Sequence, residues 1–423
     1  MHVKLGATLL VGCLAVGLAA GSAAVADNLY FTIDSGDNDT LMMVTGLTRG
    51  SSGGGLGSEP GFRVAATGSD GIGAIDAAMI GGQPRVATGG QIIHIWDGNN
   101  IGYLRHGDPT GPGDNNPVRE LVMGEIGGNP DRLVIARETA TGATNILVQM
   151  FEPSTMTHIM TPGPHNTIGN AVGMARGNFT DDAPGSEVVI GTTDLATLNK
   201  SPGFQLYIRG DNLGWLGQQP IQVMSDVAAG DLAPGLNNDE AIFTGNIGGD
   251  SGPGIGQQSH MFSTGPGFSM DYQWENGGGG PHDLPSGGGL LFNAVAVGQL
   301  DTDPEPEIAL VGNNVVRVLN HDGSFVFQSG PTGQNMTDVV IADAMDNDGV
   351  NEIVAVTEGG FVFAFGHSVV GDAASAFAGG ALGYYSTGAN PITGVAALKI
   401  IPEPTSALLL LLAACGLAAP RRR

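Results

Sequence analysis

The stretch Gly298-Gln299-Leu300-Asp301-Thr302-Asp303-Pro304-Glu305-Pro306-Glu307-Ile308-Ala309-Leu310-Val311 decides the fold. Its first half is a turn, with alternating carboxylates, two prolines and no apolar period. Its second half is an apolar run too short for a helix and closed by Gly312-Asn313-Asn314, which reads as a strand ending in a turn. Working outward, residues 315–320 form a second strand and His321-Asp322-Gly323 a second turn. Ser324-Phe325-Val326-Phe327 then starts a third strand. Asp-Gly between β-rich runs marks a hairpin, because the tight turn needs residues that tolerate positive φ. No stretch between the two chain ends has a convincing 3.6-residue period, so long helices are not expected.

The same unit recurs. Glycine-containing turns followed by apolar strands occur at 79–88, 124–135, 177–190, 230–243, 298–311 and 346–356. Taking Glu125, Asn178, Asp231, Gln299 and Ala344 as equivalent, the steps are 53, 53, 68 and 45 residues. The long step carries a Gly-rich insert around residues 250–289, expected to be an extended loop. Units of about 45–55 residues holding several short strands fit propeller blades. The expected fold is therefore all-β: one β-propeller over residues 27–400, of seven blades, with six as the alternative count. The seventh blade would combine Asn28-Leu29-Tyr30-Phe31-Thr32-Ile33 with strands near residues 394–400, closing the ring and removing its exposed edges. A two-domain β-sandwich array is the competing architecture.

The acidic turns carry the main candidate chemistry. Asp301, Asp303 and Glu307 in one copy, and Asp346, Asp348 and Glu352 in the other, place alternating carboxylates and a closing acid around a short loop, the arrangement that wraps a hard cation in oxygen. These two copies resemble FG-GAP or VCBS-type repeats, seen in integrin-like propellers and many bacterial surface proteins. The resemblance implies a propeller with Ca2+ in such loops. The family pattern has an acid two residues before the first Asp, where Gln299 and Ala344 stand here. Asp343 reads as one place out of register, and Pro304 takes the usual glycine position. Losing a charged ligand places the expected affinity towards the ~10⁻⁴–10⁻³ M of extracellular modules. The plainer reading is that these acids cap turns and stay solvated.

Both ends of the chain read as sorting signals. Residues 1–26 form a signal peptide: Lys4, an apolar stretch over 5–18, and Ala24-Val25-Ala26 before Asp27. Leu10-Val11-Gly12-Cys13 also has the shape of a lipobox, the rival reading. Residues 401–423 contain Pro402-Glu403-Pro404, then an apolar run over 407–419, then Arg421-Arg422-Arg423. The run is shorter than the ~20 residues of a relaxed span. The arginines are expected to stay cytoplasmic and leave the body outside. The order of Pro-Glu-Pro, Leu-rich run and basic cluster resembles the PEP-CTERM sorting signal of Gram-negative bacteria. That resemblance implies exosortase as a partner, membrane attachment through this short hydrophobic helix or secretion after its removal, and company with exopolysaccharide at the cell surface.

Composition narrows the function classes. Both cysteines, Cys13 and Cys415, lie in the terminal signals, so the body has no disulfide, thiol nucleophile or Cys-ligated metal. The chain carries a net charge of −25; without Lys4, Glu403 and the three terminal arginines, the body holds 12 basic and 40 acidic residues. Nucleic-acid binding needs Lys and Arg against phosphate, and this balance argues against it. Gly249-Asp250-Ser251-Gly252-Pro253 lacks the context of a serine-protease nucleophile. Gly50-Ser51-Ser52-Gly53-Gly54 spells a nucleophile elbow but reads as a flexible Gly/Ser loop. The histidines have no close metal spacing. Trp96 and Trp215 read as blade core, with Trp274 able to join a sugar-stacking face only if all three converge. The expected function is a non-catalytic, surface-anchored binding or scaffold protein for extracellular polysaccharide or another surface protein. The alternative is a propeller lyase or glycosidase with its site in the central channel.

Overall fold

The computed structural model describes residues 27–399 except 36–38, 59–60, 69–72, 108–116, 139–145, 162–163, 166–169, 181–184, 194–202, 222–223, 233–237, 246–259, 263–291, 302, 313, 346–347, 367–382 and 389. The signal peptide, the tail over 401–423 and most of the Gly-rich insert therefore lie outside the described residues. Those that are described fold into seven sheets, antiparallel apart from one rim strand, arranged as a ring of blades. In chain order the innermost strands are Ala74–Ile80, Val118–Ile126, Asn170–Gly177, Met224–Gly230, Ala294–Gly298, Met336–Ala342 and Ile392–Leu398. Each packs against the next, and the last packs against the first. We number the blades 1 to 7 by these strands.

Blade 7 is built from both ends of the described chain. Ile392–Leu398 is innermost, followed by Asn28–Ile33, Asp39–Thr45 and Arg63–Gly68. Asn28 pairs with Leu398 and Phe31 with Val395. The expected closing blade is thus present, with the residues the sequence offered for it.

The core is not one mass but seven layers, one between each pair of neighbouring blades. Successive residues of one strand serve different layers. In Glu352–Thr357, Ile353 and Ala355 face blade 5, whereas Val354 and Val356 face blade 7. This explains why such strands are continuous apolar runs rather than alternating ones: both faces are buried, as period-2 geometry then requires.

Turns between the first and second strands differ from the expectation in two blades. Blades 1 and 2 use two-residue Gly-Gly turns, Gly81-Gly82 and Gly127-Gly128, all four with positive φ between 57° and 75°. Two consecutive positive φ values suit the right-handed twist of the flanking strands. These copies are tight hairpins, and the longer acidic loops belong to blades 3 to 6. A second difference concerns the Gly/Ser stretch at 50–54. Ser52–Gly55 is an edge strand, parallel to Gly383–Ser386 on the rim of blade 6, rather than a free loop. Gly53 there has φ +77°, and Tyr384 occupies the space a Cβ would need. The only helix among the described residues is the 3₁₀ turn Leu56–Ser58, and none is long and apolar enough to cross a membrane.

Candidate functional site

In blades 3 to 6 the second strand opens with a glutamate, and pairing fixes its register. Glu187 sits opposite Gly177, Glu240 opposite Gly230, Glu307 opposite Gly298 and Glu352 opposite Ala342. All four side chains are buried. Each uses Oε2 to accept backbone N–H groups from the loop just ahead of it: Phe179 at 2.6 Å, Leu232 at 2.8 Å, Leu300 at 2.5 Å and Met345 at 2.9 Å. The repeated glutamate is therefore a staple that holds the loop closed. Burial pushes Glu187, Glu307 and Glu352 up, Glu307 to about 7 and Glu352 to about 8; loop N–H groups oppose the rise, and neighbouring aspartates add to it at Glu307 and Glu352.

The same pairing corrects the repeat alignment. Asp343, not Ala344, takes the place of Asn178, Asp231 and Gln299, because Ala342 is the counterpart of Gly177, Gly230 and Gly298. Asp343 is in register, and the blade 5 loop is one residue shorter than that of blade 6. Counting along the sequence from the first loop aspartate could not reveal a length change inside the loop itself.

Asp301, Asp303 and Glu307 converge, each offering one carboxylate oxygen within 4.8 Å of the others. Asp301 accepts the N–H of Asp303, and Asp303 that of Glu305, so the loop winds around its own acids. Gln299 donates its amide to the carbonyls of Asp301 and Asp303 from the position where the repeat pattern has an acid. The donor set is all oxygen and fits a hard cation. In the second loop, Asp346 lies outside the described residues, and Asp348 is exposed with its Oδ1 on the N–H of Val350. Glu352 instead lies near Asp343, which in turn touches Asp27 ahead of the blade 7 strand. Asp27 N–H donates to the Asp343 carbonyl, and Asp343 N–H to Asp27 Oδ2. One oxygen each of Asp27, Asp343 and Glu352 is buried with no hydrogen-bond partner.

The sequence reading named a central channel for the alternative enzyme but none of its residues. Asp76, Asp226 and Asp338 occupy the same register in blades 1, 4 and 6, each four residues before the end of its innermost strand. Each Oδ1 accepts the N–H of the following residue. Each Oδ2 reaches the innermost strand of the next blade, at Met123 (2.7 Å), Val295 (2.9 Å) and Val395 (2.8 Å). These aspartates are lateral staples of the ring. A cavity of about 120 Å³ lies on the axis, lined by residues from all seven innermost strands, among them Glu120, Asp226 and Asp338. Burial raises Glu120 well above the usual carboxylate range, with the charges of Asp226 and Asp338 adding to it. It also raises Asp226, and moves Asp338 to about 6 against its two N–H donors. A sequence signal existed: an aspartate followed by Ala or Val, five residues before the turn, at Asp76, Asp226 and Asp338.

Trp96 is 2% exposed and donates its indole N–H to Thr88 Oγ1, so it is blade core as expected. The side chain of Trp215, all of Trp274 and the sorting residues Pro402, Glu403, Pro404, Arg421, Arg422 and Arg423 lie outside the described residues.

No family model and no curated protein matches this chain. Solved structures do. The WD40 domain of Neurospora crassa Pan2 is 12% identical, covering 69% of this chain and 74% of that one at a TM-score of 0.44. A chain of the mitotic checkpoint complex is 12% identical over 77% and 80%, with a TM-score of 0.50. The RRP9 WD40 repeats are 9% identical over 70% and 76%, at 0.45. At such identities the similarity bears on the fold alone. The ring itself is read from strand pairing.

Proposed function

We propose that this chain is an exported β-propeller, held at the cell surface through its PEP-CTERM-like tail, that binds or scaffolds extracellular polysaccharide or another surface protein without catalysing a reaction. The order of signals at its two ends supports export and anchoring. The observation that carries the non-catalytic part is the size of the axial cavity. At about 120 Å³ it falls well below the ~300–1,000 Å³ of sites for organic ligands. Two of its three carboxylates are also occupied as ring staples. Binding then falls to the blade faces and loops, with Ca2+ ordering the loop of Asp301, Asp303 and Glu307.

The enzymatic reading keeps one observation in its favour, the convergence of Glu120, Asp226 and Asp338 with raised proton affinity, since glycosidases work through paired carboxyls of unequal pKa. The test is to fractionate cells expressing the full chain and incubate the purified protein with the host's extracellular polysaccharide. Surface localisation with retention of polymer, and no release of reducing ends or unsaturated sugars, is expected. Turnover of the polymer, or a protein confined to the cytoplasm, would overturn the proposal.

A further inference from the structure

Asp27 lies immediately before Asn28–Ile33 of blade 7, and Asp343 immediately after Met336–Ala342 of blade 6. The two are bonded twice: Asp27 N–H donates to the Asp343 carbonyl at 2.8 Å, and Asp343 N–H to Asp27 Oδ2 at 3.1 Å. Asp27 is 6% exposed and Asp343 2%, and the Oδ1 of each is buried with no hydrogen-bond partner among the described residues. Burial raises both carboxyls above the usual range, and at Asp343 the charge of Asp27 adds to the rise against the N–H of Gly349. The charged neighbours do not supply the missing donor. Lys399 is exposed and acts on both only through its charge, Asp348 is exposed and negative, and Glu352 spends Oε2 on the N–H groups of Ala344 and Met345. Two buried carboxyls, each short of a donor, are costly unless a counter-charge sits with them.

Ala24-Val25-Ala26 places the expected signal-peptidase cut between Ala26 and Asp27. The nitrogen that bonds Asp343 then becomes the first atom of the mature chain. We propose that this cut completes the joint between blades 6 and 7, because the new α-ammonium of Asp27 is the buried counter-charge of the Asp27 and Asp343 carboxylates. The inference rests on the export reading. The hydrolysis consumes one water: its oxygen goes to the Ala26 carbonyl carbon, which leaves as a carboxylate, and its two hydrogens end on the Asp27 nitrogen. An uncut amide has a single hydrogen, already given to the Asp343 carbonyl, whereas the ammonium keeps that bond and has two more for the Oδ1 atoms. An α-amine of pKa ~8 is mostly protonated at pH 7, and carboxylates beside it favour that form. Glu352, pushed to about 8, holds its own proton instead. Leu47, just after Asp39–Thr45 of blade 7, bonds the same turn through the Ala344 carbonyl, so processing fastens the closing blade where it already meets its neighbour.

Two full chains are exported from a bacterial host: the parent, and one with two threonines inserted between Ala26 and Asp27, which keeps the cut but returns the Asp27 nitrogen to an amide. Mass spectrometry of each mature N-terminus comes first. A parent that begins anywhere but Asp27 overturns the processing reading and this proposal with it. With Asp27 first, the inserted protein should lose about tenfold in its folding constant by urea titration at pH 7, roughly 1.4 kcal/mol. That loss should shrink in an Asp343→Asn background, since the ammonium then has one carboxylate fewer to meet. The parent's α-amine should also be acylated at least tenfold more slowly in the native protein than in urea, a reading that stands if the inserted protein does not fold. Equal stabilities of the two chains, a loss undiminished by Asp343→Asn, or an amine that reacts as fast native as unfolded would each overturn the proposal while leaving export intact.

Discussion

Replacing Glu187 tests whether the repeated glutamate is a staple. Its Oε2 accepts Phe179 N–H at 2.6 Å and Thr180 N–H at 3.2 Å, and its Oε1 accepts the Thr180 hydroxyl at 3.0 Å. In Glu187→Ala the Phe179 N–H is left buried without an acceptor, at about 1–3 kcal/mol, and the Thr180 N–H loses part of its partner. The hydroxyl can rotate to another acceptor. Against this stands the relief of a buried carboxylate whose pKa is raised mainly by burial. The balance is a loss of about 2–3 kcal/mol. Glu187→Gln keeps one acceptor oxygen in place and should lose about 1 kcal/mol or less. Urea unfolding followed by circular dichroism, in EDTA so that no divalent ion contributes, reads both. A Gln variant as damaged as the Ala variant would show that charge, rather than acceptor geometry, is what the loop needs. An Ala variant within about 0.5 kcal/mol of the parent would refute the staple altogether.

Three further outcomes follow from the same geometry. The Glu352 carboxyl has a folded pKa of about 8 against an ordinary 4.5, so the folded state holds a proton that the unfolded state releases. Its contribution in EDTA is full below about 4.5, declines as pH rises, and is gone above about 8; the stability difference between the parent and Glu352→Gln should follow that course. Phe31→Ala, at a fully buried position in the layer between blades 6 and 7, should lose about 3–5 kcal/mol by urea unfolding. Gly127→Ala should destabilise through its positive φ and through contact with the backbone of Gly210, 2.3 Å from the added Cβ, whereas Gly82→Ala meets open space and should show only the φ penalty, about 1–2 kcal/mol.

Much of the ring was legible because local rules and the fold agree. Apolar runs such as residues 308–311 and 353–356 are strands buried on both faces, and Asn28–Ile33 could be placed beside the C-terminal strand because an open ring leaves two edges to pair. What stayed hidden depends on distances the sequence does not contain. Asp226 and Val295 lie 69 residues apart, yet they form one hydrogen bond. Glu120 is an ordinary acid in its strand until the ring places it beside Asp226 and Asp338 at the axial cavity. The shortened blade 5 loop shifted the apparent place of Asp343, since insertion inside a loop moves the ligand count without moving the strands.

The acidity of the chain also changes meaning. A net charge of −25 reads naturally as a solvated surface, yet Glu187, Glu240, Glu307, Glu352 and Asp343 are at most 2% exposed, and Asp226 and Asp338 line the axial cavity. Backbone N–H groups are their recurring hydrogen-bond partners. A body with only 12 basic residues has few cations to place inside, whereas every turn presents free N–H groups, and a carboxylate that accepts two of them can remain ionised in a buried place. This arrangement fixes loops and joins blades through backbone donors. It leaves the net charge inside the ring negative, so where a buried oxygen lacks its N–H, as at Asp27, Asp343 and Glu352, the compensation has to come from a proton or a bound cation.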